Sequence, residues 1–561
     1  MARTPLFDLL RRALLRAEAR RRGVVSSPTP RTGPSRRQVL RGALGTAALL
    51  PILPACGDNL GRGGPSVVVV GGGIAGLHCA YRLVGAGVEA TVYEASARTG
   101  GRMFTSRNQF PDGAVIDLGG EFIDSGHTTL RTLAGELAIE LDDLDVIDAG
   151  LRADTYVFDG QLVDDPAIVD AFMPLAARMS QAITAAEADD AEYTRVDALS
   201  ISAWLESEGG LADGDLLRRI LEVAYTGEYG LEADEQSSLN LLYLIDHDMP
   251  DPFRIFGDSD ERFHVHGGSQ TIPDALATAL GDRVVREHEL VKVAAVDGAY
   301  QLTFATSGGD VEVNADHVVL AIPFTILREI DLADAGLPAE KRTMIDELGY
   351  GTNAKLFGGF DRKVWREDQH ASGSSFSDVG ELQSTWDSSA GQPGTTGILT
   401  NFVGGARGLS IGEGSAEERM VEVLPWIETV FPGSRGAYQN PSAIRQHWPS
   451  APFVRASYAC YRPGQWSFWG TEGQRVGNLH FCGEHTSQEF QGYMEGGAET
   501  GALVAREILA DLGVPTPEAH ARVLAGKLGV PHACHRGAWP ERAPRLRRNQ
   551  WRRLRLLTRS P

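Results

Sequence analysis

From Ser66 to Ala95 the chain reads SVVVVGGGIAGLHCAYRLVGAGVEATVYEA: four valines, a glycine cluster, apolar residues at helical spacing, then a second short apolar stretch. That pattern predicts strand, tight turn, helix and strand. A helical pattern begins at His127 in HTTLRTLAGELAIELDDL, and Asp164 to Asp246 is rich in Ala, Leu and acids at helical spacing. ERFHVHGGSQTIPDALATALG returns to strand, turn and helix. The stretch HELVKVAAVDGAYQLTFATSGGDVEVNADHVVLAIP predicts short strands with turns at Asp297-Gly298 and Gly308-Gly309. LFGGFDRKVW is strand-like and GNLHFCGEHTS ends a strand, whereas GYMEGGAETGALVAREILADL predicts a helix with small residues on one face. No segment repeats at a fixed period. The alternation of strands and helices places the chain in the α/β class.

The chain has 561 residues, 42% of them apolar, enough for two or more packed regions of a globular protein. Its formal charge of -21 is unevenly spread. Eleven arginines face only Asp8 and Glu18 in residues 1–55, and nine face one acid from His535 onward. The body between is therefore more acidic than the whole, which argues against nucleic-acid binding and suits cationic substrates as well as simple solubility. The five cysteines show no CxxC spacing, so neither a zinc site nor a disulfide scaffold is expected. His264 and His266 share a strand face in HVHGG but have no third ligand nearby and are read as structural; no metal is expected.

PSRRQVLRGALGTAALLPILPAC, with Arg36 and Arg37 before a short apolar run, resembles a twin-arginine export signal. The run is too short to span a bilayer, which takes about 20 apolar residues. LPAC also resembles a lipoprotein box that would anchor the chain through Cys56, against simple cleavage as the other reading. These features predict the twin-arginine export machinery as a partner and a periplasmic or outer-face location. GDNLGRGGPS reads as a linker.

Gly71, Gly73 and Gly76 form GxGxxG directly after the strand Val67 to Val70. The first supports a tight turn, the second lets backbone approach a pyrophosphate, and the third permits close packing of helix on strand. Glu94 ends the second strand, where an acid binds a ribose hydroxyl pair. Dinucleotide binding follows.

EASARTGGRMFT then adds Gly100, Gly101 and Arg102, and here the chain resembles the FAD-dependent amine oxidase family of monoamine, polyamine and L-amino acid oxidases. The resemblance continues in the family's order through IDLGGEFI, VHGGSQTIPDAL, NAKLFGGF, SYACYRPGQ and HFCGEHTSQEFQGYMEGGAETG, covering about Ser66 to Leu512. It implies FAD as cofactor and a Rossmann-like FAD-binding domain, discontinuous in sequence, with an inserted α+β substrate-binding domain. The expected boundaries are 1–56 signal, 57–65 linker, 66–120, 260–330 and 445–512 FAD-binding, 121–259 and 331–444 substrate-binding, and 513–561 a basic, loosely ordered tail. By the same likeness Glu94 holds the ribose, Arg98, Gly101 and Arg102 lie along the pyrophosphate and flavin, and Gly119 and Gly120 belong to the DLGG-type motif. Val291 meets the adenine through its backbone, Glu484 lies near the ribityl chain, and Met494 sits at the flavin edge.

The implied reaction is oxidation of an amine to an imine by hydride transfer to flavin N5, with O2 reduced to hydrogen peroxide. An amine releases hydride only when neutral, so the site needs a dry aromatic slot rather than a strong base. Tyr458 and Tyr493 match the family's aromatic pair around the substrate nitrogen, and Lys355 matches the lysine that holds a water at N5. Phe122 stands where one amino acid oxidase branch carries its carboxylate-binding arginine, while Glu121 and Asp124 offer negative charge near the entrance. Primary, secondary or polyamine substrates are therefore expected ahead of L-amino acids, with an exported, non-catalytic FAD-binding protein as a reading from another class. The covalent flavin cysteine of monoamine oxidases would precede Tyr458, where this chain has Ser457, so a non-covalent FAD is expected. Alternation along a strand would put Cys460 on the same side as Tyr458. Oligomeric state is not specified.

Overall fold

The computed structural model describes residues 65–525. The twin-arginine pair, Cys56 and its lipid box, the linker up to Gly64 and the arginine-rich end of the chain lie outside the described residues.

Val67–Val70 is buried on both faces, which suits the middle of a parallel sheet. It pairs in parallel with Ala90–Tyr93 on one side and His317–Leu320 on the other. Val284–Val285 and Leu479–Phe481 complete a five-stranded sheet, so neighbours in space come from distant parts of the chain. This is the Rossmann-like α/β sheet expected from the strand–turn–helix pattern.

Helix Ile74–Gly85 leaves the first strand and packs against the long helix Met494–Asp511. The small residues of the second helix make this possible. A Cβ at Gly501 would sit 2.1 Å from the Ala75 carbonyl oxygen, and one at Gly497 would sit 2.9 Å from Ile74 Cγ2. His78 closes the seam, with Nδ1 donating to the Ala498 carbonyl at 2.7 Å and Nε2 accepting from Arg82 at 2.8 Å. Burial, aided by Arg82, lowers its pKa to about 3, so it stays neutral.

A second, seven-stranded mixed sheet forms from residues 152–163 and 354–447. Its strand Ala354–Phe360 is buried throughout and pairs with Gly397–Val403 and Tyr438–His447. The region read as helical from 164 to 246 yields five helices, Asp165–Ala188, Asp190–Asp197, Ile201–Ser207, Leu216–Tyr229 and Ser238–Leu244. Of these, Leu216–Tyr229 lies against three strands of the seven-stranded sheet. That contact carries its C-terminal turn toward the chemistry described below.

Three elements depart from the sequence reading. The helix from His127 spans only Thr128–Glu136; Ala138 takes a left-handed φ of 55° and Leu141–Asp143 becomes a strand beside Phe263–Val265. Pairing across the fold overrides the helical spacing there. The strand Tyr438–His447 runs across the boundary drawn at 444/445. The tail drawn from 513 begins with an ordered helix, Glu518–Val523, whose His520 Nε2 meets the Ala502 carbonyl at 2.8 Å while Val523 is buried against Ala502 and Leu524. Val523→Asp is therefore expected to cost on the order of 1–3 kcal/mol, read as a lower urea midpoint, whereas a loose tail would leave the midpoint unchanged.

Candidate active site

The GxGxxG turn has the shape its glycines were expected to give. Gly71 adopts φ 105°, and a Cβ there would lie 2.6 Å from the Ala321 carbonyl oxygen. A Cβ on Gly76 would strike the Gly71 carbonyl at 2.1 Å. Gly73, the residue that caps helix Ile74–Gly85, instead faces open space with nothing within 4 Å. No side chain caps that helix and its first turn carries no acid, so its amide groups and positive dipole end remain to bind an anion. Glu94 stands beside the turn, accepting from Gly72 N at 2.7 Å and from Ser96 N and Oγ at 2.8 and 2.7 Å. Val291 lies at a β-bulge between Leu290 and Lys292, where a residue's N–H drops out of the ladder. Its carbonyl accepts from Asp331 N at 3.0 Å. An open glycine cradle, an uncapped helix, a strand-end carboxylate and a bulged backbone edge fit the pyrophosphate, ribose and base of a dinucleotide.

Arg98 stacks its guanidinium 3.9 Å over the Phe104 ring and donates to the carbonyls of Thr99 and Gly101 at 3.2 and 2.8 Å. Arg102 crosses the molecule to donate to Glu484 at 2.8 Å and to the Ser457 carbonyl at 2.7 Å. Glu484 in turn accepts from Ala459 N at 3.3 Å and from Gly492 N at 2.9 Å. Each of those amides is the immediate neighbour of a predicted site tyrosine. Gly119 and Gly120 are pressed tight, a Cβ falling 1.8 Å from the Arg102 carbonyl oxygen and 2.6 Å from Met494 Cγ respectively.

Tyr458 and Tyr493 meet at one residue that the sequence reading missed, Glu228. The Tyr458 hydroxyl donates to the Glu228 backbone carbonyl at 2.6 Å, and the Tyr493 hydroxyl donates to its carboxylate at 3.0 Å. Asn353 secures the arrangement, donating to the Gly227 carbonyl and accepting from Ser457 Oγ, both at 2.6 Å. Gly230, with φ 76°, ends the helix, and any side chain on it would run into Asn353. The available signal for Glu228 was electrostatic: a carboxylate in the last turn of a helix opposes the helix dipole and calls for a reason. Burial, with Asp124 nearby, pushes its pKa up to about 7. Burial first and Glu228 next push both tyrosines well up, so they remain hydroxyl donors. Asp124 accepts from Glu261 N at 2.9 Å and lies 3.3 Å from His127, whose ring packs 5.2 Å from Tyr493. Asp124, Glu228 and Glu261 thus gather around the pair of tyrosines.

Lys355 projects from its buried strand into a closed cage. Its ammonium donates to the Asp117 and Gly119 carbonyls at 2.9 and 2.8 Å and to Glu121 at 2.8 Å, with Trp386 4.9 Å away. All three protons are used on protein acceptors, so holding the expected water would require giving one up. Glu121 also accepts from Trp386 Nε1 at 3.0 Å and Ser388 Oγ at 3.1 Å. It is therefore not at an entrance, contrary to expectation: the buried lysine holds it inside. Asp117 behind it is raised to about 6 by burial and Glu121.

Cys460 is buried, and its thiol faces Asn240 Nδ2 at 3.6 Å. The expected strand alternation does not apply because residues 451–464 are irregular, with only Ala459 bridging to Tyr350. His264 packs against Phe122 and His266 lies 3.2 Å from Asp142, so the two do not converge. Among the described residues His317, His480 and Asp511 have metal-ligand spacing, yet Arg475 already pairs with Asp511 and with Glu507, which bonds His480 at 3.0 Å. That cluster reads as a salt-bridge network.

A turn shaped for a dinucleotide is thus joined to a carboxylate-backed tyrosine pair, the two halves of an oxidoreductase site. The chain belongs to the family described as flavin containing amine oxidoreductase, whose pattern matches residues 74–509. It is 25% identical to an L-amino acid dehydrogenase of Synechocystis sp. over 79% of this chain and 94% of that protein. It is 26% identical to amine oxidase [flavin-containing] B of Sus scrofa over 81% and 88%. In fold it resembles putrescine oxidase bound to putrescine, with TM-score 0.67, 23% identity and coverage of 80% of this chain and 99% of the other. Cyclohexylamine oxidase from Brevibacterium oxydans gives TM-score 0.68 at 22% identity, with the same coverage. The chain is a flavin-dependent oxidoreductase of the type that takes an amine to its imine and O2 to hydrogen peroxide.

The buried Lys355–Glu121 pair, each side chain 5% exposed, sets a stability test. Lys355→Met alone is expected to cost about 3–5 kcal/mol by stranding a buried carboxylate, and Lys355→Met with Glu121→Gln to recover most of it, measured by chemical denaturation.

Proposed function

We propose that the protein oxidises small cationic amines, diamines and polyamines among them, in preference to L-amino acids, and holds FAD without a covalent bond. The observation that carries this reading is Glu228, whose carboxylate and carbonyl bond both site tyrosines and present negative charge where the substrate nitrogen belongs. Asp124 beside it adds to the acidic lining, whereas a substrate carboxylate would be repelled. Phe122, packed 5.4 Å from Trp386, occupies the place where a carboxylate-binding arginine would be expected.

The cofactor, when bound, supplies the hydride acceptor and passes the electron pair to O2. Gly71, Gly73 and the amides of helix Ile74–Gly85 would hold its pyrophosphate, Glu94 its ribose and the bulged Val291 its base. Arg102 and Glu484 position the backbone beside both tyrosines. Tyr458 and Tyr493 orient the amine between their rings and exclude water, and Lys355 anchors the 117–121 segment. The division of labour follows the two sheets, the parallel sheet serving the cofactor and the seven-stranded sheet, through His447, the amine. The twin-arginine pattern supports export after folding, to the periplasm or outer face, followed by either simple cleavage or lipid anchoring at Cys56.

Support for non-covalent FAD comes from Ser457 at the position before Tyr458 and from the Cys460 thiol, raised by burial and turned toward Asn240. Acid precipitation is expected to leave a colourless pellet and a yellow supernatant; a yellow pellet overturns the non-covalent reading. In a peroxide-release assay over amines, diamines and L-amino acids, the cationic amines are expected to respond at least tenfold more strongly, and a preference for amino acids would overturn the substrate assignment.

A further inference from the structure

We propose that Glu228 is a catalytic proton acceptor, taking the proton from the substrate ammonium as it enters between the tyrosines. This rests on the cationic-amine reading above.

An alkyl amine in water is an ammonium ion, with a pKa of about 10. Oxidation at the adjacent carbon needs the nitrogen lone pair, so one proton must leave first. The step is balanced simply: the N–H bond breaks, its electron pair stays on nitrogen, and the proton adds to the Glu228 carboxylate to give a neutral amine and a carboxylic acid. No oxidant or co-reactant enters.

The surroundings single out this carboxylate. Lys355 has donated all three protons and pairs with Glu121, so it serves as no base. Glu484 is held by Arg102 and two backbone amides. Asp124 is engaged by Glu261 N and lies against His127. Among the described residues Glu228 alone bonds a site tyrosine through its carboxylate, accepting one hydroxyl on one oxygen. The titratable groups that act on it or feel it are acids and phenols: Asp124 after the strand Phe122–Ile123, Glu261 before Phe263–Val265, Tyr458, and Tyr493 at the head of Met494–Asp511, with Tyr229 on its own helix. These acids favour the protonated form, and burial with Asp124 places its pKa at about 7. A carboxyl so poised accepts a proton near neutral pH and releases it again. The release route is a pocket that Glu228 and Tyr493 share with Tyr461, Gln491 and the partly exposed Gln488 and Glu489.

The sign follows from the acceptor role. Glu228 accepts only when ionised, so the wild-type reductive half-reaction is expected to fall as pH drops below about 7 and to level off above it. Glu228→Gln keeps a hydrogen-bond acceptor for Tyr493 but no base. Its anaerobic flavin reduction is expected to be slower on the order of a hundredfold near neutrality and to climb with pH toward the amine's own pKa. A second readout does not depend on turnover. The FAD-loaded enzyme is titrated calorimetrically at pH 8.5 with tert-butylamine, which has no hydrogen on its nitrogen-bearing carbon, in buffers of differing ionisation enthalpy. Wild type is expected to exchange close to no protons with buffer, and Glu228→Gln to release close to one per amine bound. Release of a full proton by wild type overturns the proposal without any variant. Zero release by both proteins also overturns it, since the amine then stays an ammonium. Absence of flavin bleaching by every amine in wild type would instead strike the substrate reading.

Discussion

The Arg102–Glu484 pair is the joint on which the site depends. Arg102 belongs to the segment following the nucleotide turn, and Glu484 follows the last strand of the parallel sheet. The two carboxylate oxygens of Glu484 collect the guanidinium, Ala459 N and Gly492 N, and the same guanidinium reaches the Ser457 carbonyl. Three chain segments far apart in sequence are thereby held around one half-buried ion pair. The pair ties down the backbone next to each tyrosine, which sits on irregular or turn structure and is held at its hydroxyl end by Glu228.

Around that joint the fold treats buried charge in two ways. At Lys355 and Glu121 every donor and nearly every acceptor is used, a closed arrangement that fixes the 117–121 backbone and offers little to a substrate. At Glu228 the carboxylate receives a single tyrosine hydroxyl and stands among other acids. Low-dielectric surroundings punish an unpaired charge, so such a group either takes up a proton or meets a cation. Chemistry on an amine uses both alternatives in turn.

Much of the cofactor side was legible in the sequence. Gly71, Gly73 and Gly76 carry steric demands that hold wherever a strand turns into a helix against a phosphate, and Glu94 follows from strand length alone. The small face of GYMEGGAETGALVAREILADL foretold the close helix contact at Gly497 and Gly501. The residues from His127 to Leu144 were misread as one helix because their spacing is helical, whereas the partner that recruits Leu141–Asp143 into a sheet lies more than a hundred residues away. Alternation gives no guide at Cys460 for a related reason: it is a rule for strands, and the backbone there is tied down by Gly349 rather than by a regular ladder.

The sequence by itself determined the strand–turn–helix unit, and its likeness to a known family pointed to the cofactor class and the two tyrosines, because each rests on local backbone geometry or on motifs contiguous in the chain. Only the tertiary structure decided which charges are closed and which are open. Lys355 and Glu121 are 234 residues apart, and Glu228 and Tyr493 are 265 apart. Whether a carboxylate is a structural anchor or a reactive group depends on burial and on the donors within about 3 Å, and those partners arrive through folding from positions that no local pattern connects.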